Sequence, residues 1–83
     1  MLYHLENDEI YVSINSIGAE LTGIRNKRDG REVIWSGNKY IWSRTSPLLF
    51  PIVGKVKNDC YRHNGRVYHI NKHGFAMDSE FVL

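Results

Sequence analysis

The sequence predicts an all-β fold of antiparallel hairpins, and three observations support this prediction. In the first half, Ile10, Val12 and Ile14 alternate with more polar neighbours, which is the pattern of a half-buried strand. In the second half, Asn64-Gly65 is the preferred pair for a two-residue type I′ turn, because both positions need positive φ. No stretch of helical length carries an apolar stripe with helical spacing.

The first half is predicted to form a strand followed by a hairpin. Residues 10–15 form the strand, and a glycine then interrupts the alternation. The pattern resumes with Ala19, Leu21 and Ile24 facing inward. A polar turn with an Asp-Gly pair follows, and a short β-rich run comes after it. Residues 19–35 therefore read as a hairpin.

The second hairpin has a register that its turn predicts. With two residues in the turn, the flanking residues pair first and the pairing continues outward. The two tyrosines then form a cross-strand aromatic pair. The predicted pairs are His63 with Arg66, Arg62 with Val67, Tyr61 with Tyr68, and Cys60 with His69.

The segment between the hairpins is less regular. Pro47 and Pro51 bracket three apolar residues, too few for a stable helix, and the prolines argue against a central strand. We expect a buried irregular segment or a single helical turn there. Small β domains need large apolar side chains for burial, so at least one of Trp35 and Trp42 is expected in the core.

Length and composition limit the class of protein. The chain has 83 residues, 42% hydrophobic and 24% charged, with a net charge of +2, which suits one small globular domain. Cys60 is the single cysteine, so an internal disulfide is excluded. No apolar run is long enough for a membrane span and no signal peptide is evident, so a cytoplasmic location is expected. Basic and acidic residues are interspersed, which is weak support for nucleic-acid binding.

Two residues are candidates for chemistry on local sequence. His73 precedes Gly74 at a predicted loop, where an imidazole can donate to a ligand oxygen or move a proton. The alternative is a histidine whose ring is bonded to loop carbonyls. Lys55 follows an apolar run and Gly54, so its ammonium can bind a hydroxyl, carboxylate or phosphate. The alternative is an ordinary surface lysine.

Other site types find no support in the sequence. The histidines lack the spacing of a helical metal site, and no nucleotide-binding loop or serine-nucleophile motif occurs. Cys60 shows no sign of a reactive thiol. We therefore expect neither a metal nor a cofactor.

Three blocks resemble the aldose 1-epimerase (galactose mutarotase)-like family, most closely its bacterial branch related to a lactose-operon protein. Residues 18–22 (GAELT) with 30–35 (GREVIW) are similar to the family's opening hairpin. Residues 47–55 (PLLFPIVGK) look like the segment that leads to a sugar-binding basic residue. Residues 73–81 (HGFAMDSEF) resemble a block shared with hexose-6-phosphate epimerases. The family usually has arginine where this chain has Lys55 and Met77.

The resemblance implies an antiparallel β-sandwich of the galactose mutarotase type, with residues 1–83 as a single partial domain, its N-terminal portion. It implies an aldose or aldose phosphate as ligand and acid/base ring opening as the reaction. His73 would assist catalysis, and Lys55, His73 and Phe75 would bind the sugar. In the family the principal acid histidine and base glutamate lie beyond the equivalent of Leu83. The chain alone is therefore expected to be inactive.

The sequence also leaves partners and other functions to consider. A partial sandwich exposes strand edges, so a homo-oligomer is expected. One alternative is a non-catalytic sugar-binding or regulatory fragment that keeps His73. Another alternative is a small basic β domain that binds nucleic acid. Such a domain would use Trp35, Trp42, Tyr61 and Tyr68, with Arg62 and Arg66. The family blocks account for the same residues, so we expect neither nucleic acid nor a membrane as a partner.

Overall fold

The computed structural model describes residues 1–35, 37–38 and 40–83, and within them the fold is all-β, as predicted. Strands β1, β2 and β3 form one antiparallel sheet in that order, and β4 and β5 form a separate two-stranded hairpin. Single 3₁₀ turns at Lys57–Asp59 and Ala76–Asp78 interrupt the loops. The strands are β1 (Leu2–Glu6), β2 (Ile10–Asn15), β3 (Glu20–Asn26), β4 (Cys60–His63) and β5 (Arg66–His69).

A β-bulge between β2 and β3 explains an irregular spacing in the sequence. Leu21 lies opposite Ile14 and Ile24 lies opposite Val12, so Thr22 falls within the register shift. The extra residue restores two apolar side chains, three positions apart, to one face of the sheet. The hydroxyl of Thr22 also donates to a carbonyl oxygen of β2 at 3.2 Å.

The β4–β5 hairpin has the register that its turn predicts. All four predicted pairs are present, and the rings of Tyr61 and Tyr68 stack with centroids 5.3 Å apart. By contrast, the hairpin predicted over residues 19–35 has one full strand, β3. Its second arm makes an isolated bridge between Arg25 and Glu32.

The C-terminal residues lie against the turn between β2 and β3. The hydroxyl of Ser16 donates to the carboxylate of Glu80 at 2.8 Å, and the N–H of Phe81 donates to the carbonyl of Ser16 at 2.8 Å. The N–H of Gly18 donates to the carbonyl of Ser79 at 2.6 Å. Gly18 has φ +76, and a Cβ there would meet the carbonyl of Met77, so the close approach requires glycine. The 3₁₀ turn that precedes this segment is thereby tied to the main sheet.

Few side chains are buried, and this corrects two expectations. Trp35 and Trp42 are 49% and 52% exposed, so neither indole is in a core. The apolar residues 48–50 are irregular, as expected, but they are exposed and not buried. In the described part of the chain, Ile70 and Ala76 are the buried hydrophobic residues.

The shape of the molecule gives the physical reason. Its principal extents are 56 × 30 × 16 Å, so it is about one sheet layer thick. Its radius of gyration is 16.4 Å, whereas a compact domain of this length has about 12 Å. So thin a molecule has no second layer to form a common core, and much of its apolar surface stays exposed.

Candidate functional site

Two loops meet at His73 and Gly54. The main-chain N–H of His73 donates to the carbonyl of Gly54 at 2.8 Å, and the N–H of Gly54 donates to Nδ1 of His73 at 2.9 Å. The imidazole is thus bonded to a main-chain N–H and not to a loop carbonyl. His73 has φ +66, a left-handed conformation that is uncommon for non-glycine residues outside turns. The paired hydrogen bonds stabilise that conformation.

The residues after His73 are anchored on the same neighbouring loop. The N–H groups of Phe75 and Ala76 donate to the carbonyl oxygen of Phe50 at 2.9 and 3.2 Å. Gly74 has φ +76 and crosses Phe50 so closely that a Cβ there would overlap its carbonyl group. The segments 50–54 and 73–76 therefore hold each other at both ends.

Phe75 extends this contact into an apolar groove. Its ring meets that of Phe50 edge to face, with centroids 6.2 Å apart, and the residue remains 57% exposed. The groove has a cavity volume of about 520 Å³, and its other lining includes Leu48, Leu49 and Phe81. His73 and Lys55 do not line it.

Lys55 lies next to Gly54, and its ammonium forms an ion pair within the same loop. The Nζ atom is 2.9 Å from Oδ1 of Asp59, and both side chains are about half exposed. An exposed pair of this kind contributes about 0–1 kcal/mol. A bound anion can therefore draw the lysine away from Asp59 at low cost.

An ionic cluster centred on the buried carboxylate of Glu20 connects β3 to later segments of the chain. The carboxylate of Glu20 accepts hydrogen bonds from the main-chain N–H and the hydroxyl of Thr45 at 2.8 and 2.7 Å. The guanidinium of Arg44 lies 3.5 Å from Glu20 and 2.7 Å from Asp78. It also donates to the carbonyl of Met77 at 3.1 Å. Arg44 thus links β3 to the 3₁₀ turn that follows Phe75.

The cluster shifts the pKa of two of its members. Burial opposes ionisation of Glu20, but the Thr45 donors and the Arg44 guanidinium outweigh it, so the pKa of Glu20 lies below its usual value. The hydrogen bond with Asp78, partly offset by burial, raises the pKa of Arg44. Both groups therefore stay charged near neutral pH.

Sequence reasoning missed this cluster. Glu20 lies between two residues expected to face inward, so alternation placed it on the exposed face, yet it is 7% exposed. Its partners lie 24 and 25 positions further on, in an irregular segment. No local spacing connects them, and an arginine beside a threonine is not a recognised signal.

The residues considered for nucleic-acid stacking do not share one surface element. Tyr61 and Tyr68 stack on each other in the β4–β5 hairpin. Trp35 and Trp42 precede that hairpin in the irregular segment of the chain, where Trp42 forms an isolated bridge with Asn38.

The described ranges hold no cluster of metal ligands and no membrane-spanning helix. Residues 1–35, 37–38 and 40–83 contain no group of three or more His, Cys, Asp or Glu side chains that can hold a metal ion. Over the same residues, no helix has both the length and the apolar character needed to cross a bilayer.

Known proteins with similar sequences and known proteins with similar structures are of the same kind. The family model for aldose 1-epimerase matches residues 1–81. Protein LacX, chromosomal, from Lactococcus lactis subsp. lactis is 36% identical over 88 aligned residues, which cover 100% of this chain and 29% of that protein.

Two solved structures superpose closely on the chain. A galactose mutarotase-like protein from Lactobacillus casei is 39% identical, with a TM-score of 0.93 over 99% of this chain and 28% of its own. A galactose mutarotase related enzyme from Lactobacillus acidophilus is 42% identical, with a TM-score of 0.92 over 96% of this chain and 27% of its own. The chain thus spans less than a third of the length of these relatives.

Proposed function

The chain belongs to the aldose 1-epimerase family, and from that membership we propose that it binds an aldose or an aldose phosphate. The reaction of the proposed assembly is interconversion of sugar anomers. A base removes the proton from the C1 hydroxyl, an acid protonates the ring oxygen, and the ring opens and closes again. His73 assists this reaction by a hydrogen bond to the sugar.

The observation that carries the proposal is the pair of hydrogen bonds between His73 and Gly54. These bonds hold the imidazole of His73 beside the loop that bears Lys55. By the family pattern, both residues are expected to bind the sugar. A ligand site generally combines an apolar wall with a few fixed polar groups. Phe75, two residues beyond His73, supplies exposed aromatic surface for such a wall.

Lys55 is proposed to contact sugar hydroxyls or a phosphate. An ammonium is a compact charge on a flexible stem, and it lacks the two-pronged geometry of the arginine usual in the family. Its exposed pair with Asp59 is weak enough to exchange for a ligand oxygen. This chemistry suits a phosphate at least as well as a hydroxyl.

We propose that the chain by itself binds sugar but does not catalyse the reaction. By the family pattern, the principal acid histidine and base glutamate have no counterparts among residues 1–83. His73 alone then supplies one hydrogen bond and no complete acid/base pair. A complete acid/base pair would need groups that His73 and its neighbours do not supply.

We also propose that the chain self-associates through its open sheet. Its accessible surface is 6735 Å², which is roughly 1,600 Å² more than a compact monomer of its mass exposes. A standard interface buries about 800 Å² on each partner, so the excess is sufficient for one. Strand β1 lies at the edge of the three-stranded sheet and has free main-chain groups for pairing. Light scattering at micromolar concentration tests this, since a compact monomer would contradict it.

The test of the proposed function is anomer exchange followed by NMR with glucose, galactose and their 6-phosphates. We expect ligand-dependent shifts without acceleration of exchange, and loss of those shifts in His73→Ala. His69→Ala is the matched control, since His69 is an exposed histidine of β5. Acceleration by the purified 83-residue chain would contradict catalytic incompleteness, and absence of any sugar-dependent shift would contradict sugar binding.

The cytoplasmic location stays a prediction from the sequence, which cell fractionation checks.

A further inference from the structure

We propose that the main-chain N–H of Gly54 fixes neutral His73 in the tautomer that carries its hydrogen on Nε2. Toward a ligand, His73 is then a hydrogen-bond donor and not a proton acceptor. Gly54 acts in this respect as a positioning residue. The tautomer depends on the protein alone, whereas its meaning for a sugar rests on the proposed function.

The assignment follows from the one-way character of a main-chain amide. The N–H of Gly54 lies 2.9 Å from Nδ1 of His73, and an amide nitrogen can only donate. Nδ1 must therefore present its lone pair to Gly54. In a neutral imidazole one nitrogen accepts and the other carries hydrogen, so the hydrogen is on Nε2. Within the described part of the chain, no protein group forms a hydrogen bond with Nε2.

The surrounding backbone keeps this arrangement in place. The reverse hydrogen bond, from the N–H of His73 to the carbonyl of Gly54, is 2.8 Å long and closes a ring between the two residues. Four residues before Gly54, the carbonyl oxygen of Phe50 accepts hydrogen bonds from the N–H groups of Phe75 and Ala76. The imidazole is therefore fixed through its own backbone as well as through Nδ1.

The other histidines show why this geometry is informative. Nδ1 of His4 lies 2.7 Å from the hydroxyl of Tyr11, and a hydroxyl both donates and accepts, so the tautomer of His4 is not determined. His63 meets a neighbouring exposed side-chain amide through its Nε2 atom. His73 is thus the histidine in the described chain whose ring is fixed by a main-chain donor.

The chemical consequence concerns the role of His73 toward a sugar. An Nε2–H group donates to a hydroxyl or ring oxygen, and it stabilises negative charge that develops there. It has no lone pair with which to remove the proton of the C1 hydroxyl. Protonation of Nδ1 would also place two hydrogens against each other and break the bond from Gly54. His73 therefore supports the acid side of ring opening, and the base is a different residue.

The direct test is imidazole NMR on the ¹⁵N-labelled 83-residue chain at about pH 8.5, where imidazoles are neutral. We expect His73 to show hydrogen on Nε2, and a coupling through the hydrogen bond between the amide nitrogen of Gly54 and Nδ1 of His73. Hydrogen on Nδ1, or an absent coupling, would overturn the proposal. This result does not depend on whether any sugar binds.

Two variants separate the roles of the ring nitrogens. His73→Asn places an acceptor where Nδ1 lies and loses the outer donor, whereas His73→Gln reaches the outer position and loses the acceptor. Amide exchange at Gly54 should become about fivefold faster in His73→Gln, the loss of about one hydrogen bond of net 1 kcal/mol, and stay near the original rate in His73→Asn. Equal exchange rates in both variants would overturn the proposal.

The same variants connect the tautomer to the sugar. If the proposed function holds, His73→Gln retains more affinity for galactose or its 6-phosphate than His73→Asn. If the unmodified chain binds neither sugar, the proposed function fails while the tautomer assignment stands on the NMR result. Stronger binding by His73→Asn than by His73→Gln would contradict the donor role.

Discussion

Glu20 of β3 and Thr45 of the following irregular segment are joined by two hydrogen bonds. The carboxylate of Glu20 accepts both the main-chain N–H and the hydroxyl of Thr45, at 2.8 and 2.7 Å. The guanidinium of Arg44 forms an ion pair with the same carboxylate and a second ion pair with Asp78. Among the described residues, Ile70 and Ala76 are the buried apolar side chains, so these polar contacts help to hold β3 against the segments that follow it.

Replacing Glu20 should therefore destabilise the fold. We expect Glu20→Gln to lower the free energy of unfolding by about 1–3 kcal/mol, because it weakens the bonds from Thr45 and leaves Arg44 without its buried partner. Urea unfolding followed by circular dichroism measures the change. Glu9→Gln is the control, since Glu9 forms an exposed pair with Arg28 and should change stability by less than about 0.5 kcal/mol. Equal effects of the two substitutions would contradict the account.

The same carboxylate should make stability depend on pH. The pKa of Glu20 is lowered in the folded chain, so its contribution is fully present above the unfolded pKa, whose ordinary value is 4.5. It is lost as pH falls through the lower folded pKa. Unfolding measured from neutral to acidic pH should show this loss in the parent chain. The curve should be flatter in Glu20→Gln, and identical curves would rule out Glu20 as the source.

Gly74 tests the contact between the loops that carry His73 and Phe50. We expect Gly74→Ala to cost about 2–3 kcal/mol or more, because strain at positive φ adds to overlap with the Phe50 carbonyl. Gly30→Ala is the matched control, since Gly30 has φ +73 and open space around a Cβ. It should show the conformational cost alone, about 1–2 kcal/mol. Similar losses at both positions, measured by urea unfolding, would mean that the close approach does not matter.

Lys55 tests the polar end of the proposed site. We expect Lys55→Ala to weaken binding of an aldose 6-phosphate about tenfold or more, because it removes a charge-assisted hydrogen bond. Binding of the unphosphorylated aldose should change less. Lys57→Ala is the control, because it removes an equal charge from the adjacent 3₁₀ turn. Isothermal titration at two salt concentrations measures both, and equal losses from the two variants would indicate a general charge effect only.

The fold was predictable where turn chemistry is local. Asn64-Gly65 determines the register of β4 and β5, because few residue pairs tolerate positive φ at adjacent positions. The bulge at Thr22 was visible only indirectly, as two inward residues separated by three positions. Strand β1 was not predicted, since its alternation is short and its residues are mostly exposed.

The candidate site was predictable in part. Local sequence indicated His73 and Lys55, and the family resemblance added Phe75, but neither indicated that Gly54 bonds the imidazole or that Asp59 pairs with the lysine. The burial of Glu20 depends on partners about 25 positions away. Contacts across that distance depend on how irregular segments cross, which no local pattern determines. The exposure of Trp35 and Trp42 could not be predicted, because residue types alone do not reveal how thin the molecule is.

The central claim is that His73 and its neighbours bind a sugar, and the most direct measurement is a titration of the ¹⁵N-labelled chain with galactose and galactose 6-phosphate. The account predicts saturable shifts at the Nε2–H of His73 and the amides of Gly54 and Phe75, with none at His69. Shifts that are absent, or spread equally over the β4–β5 hairpin, would contradict it.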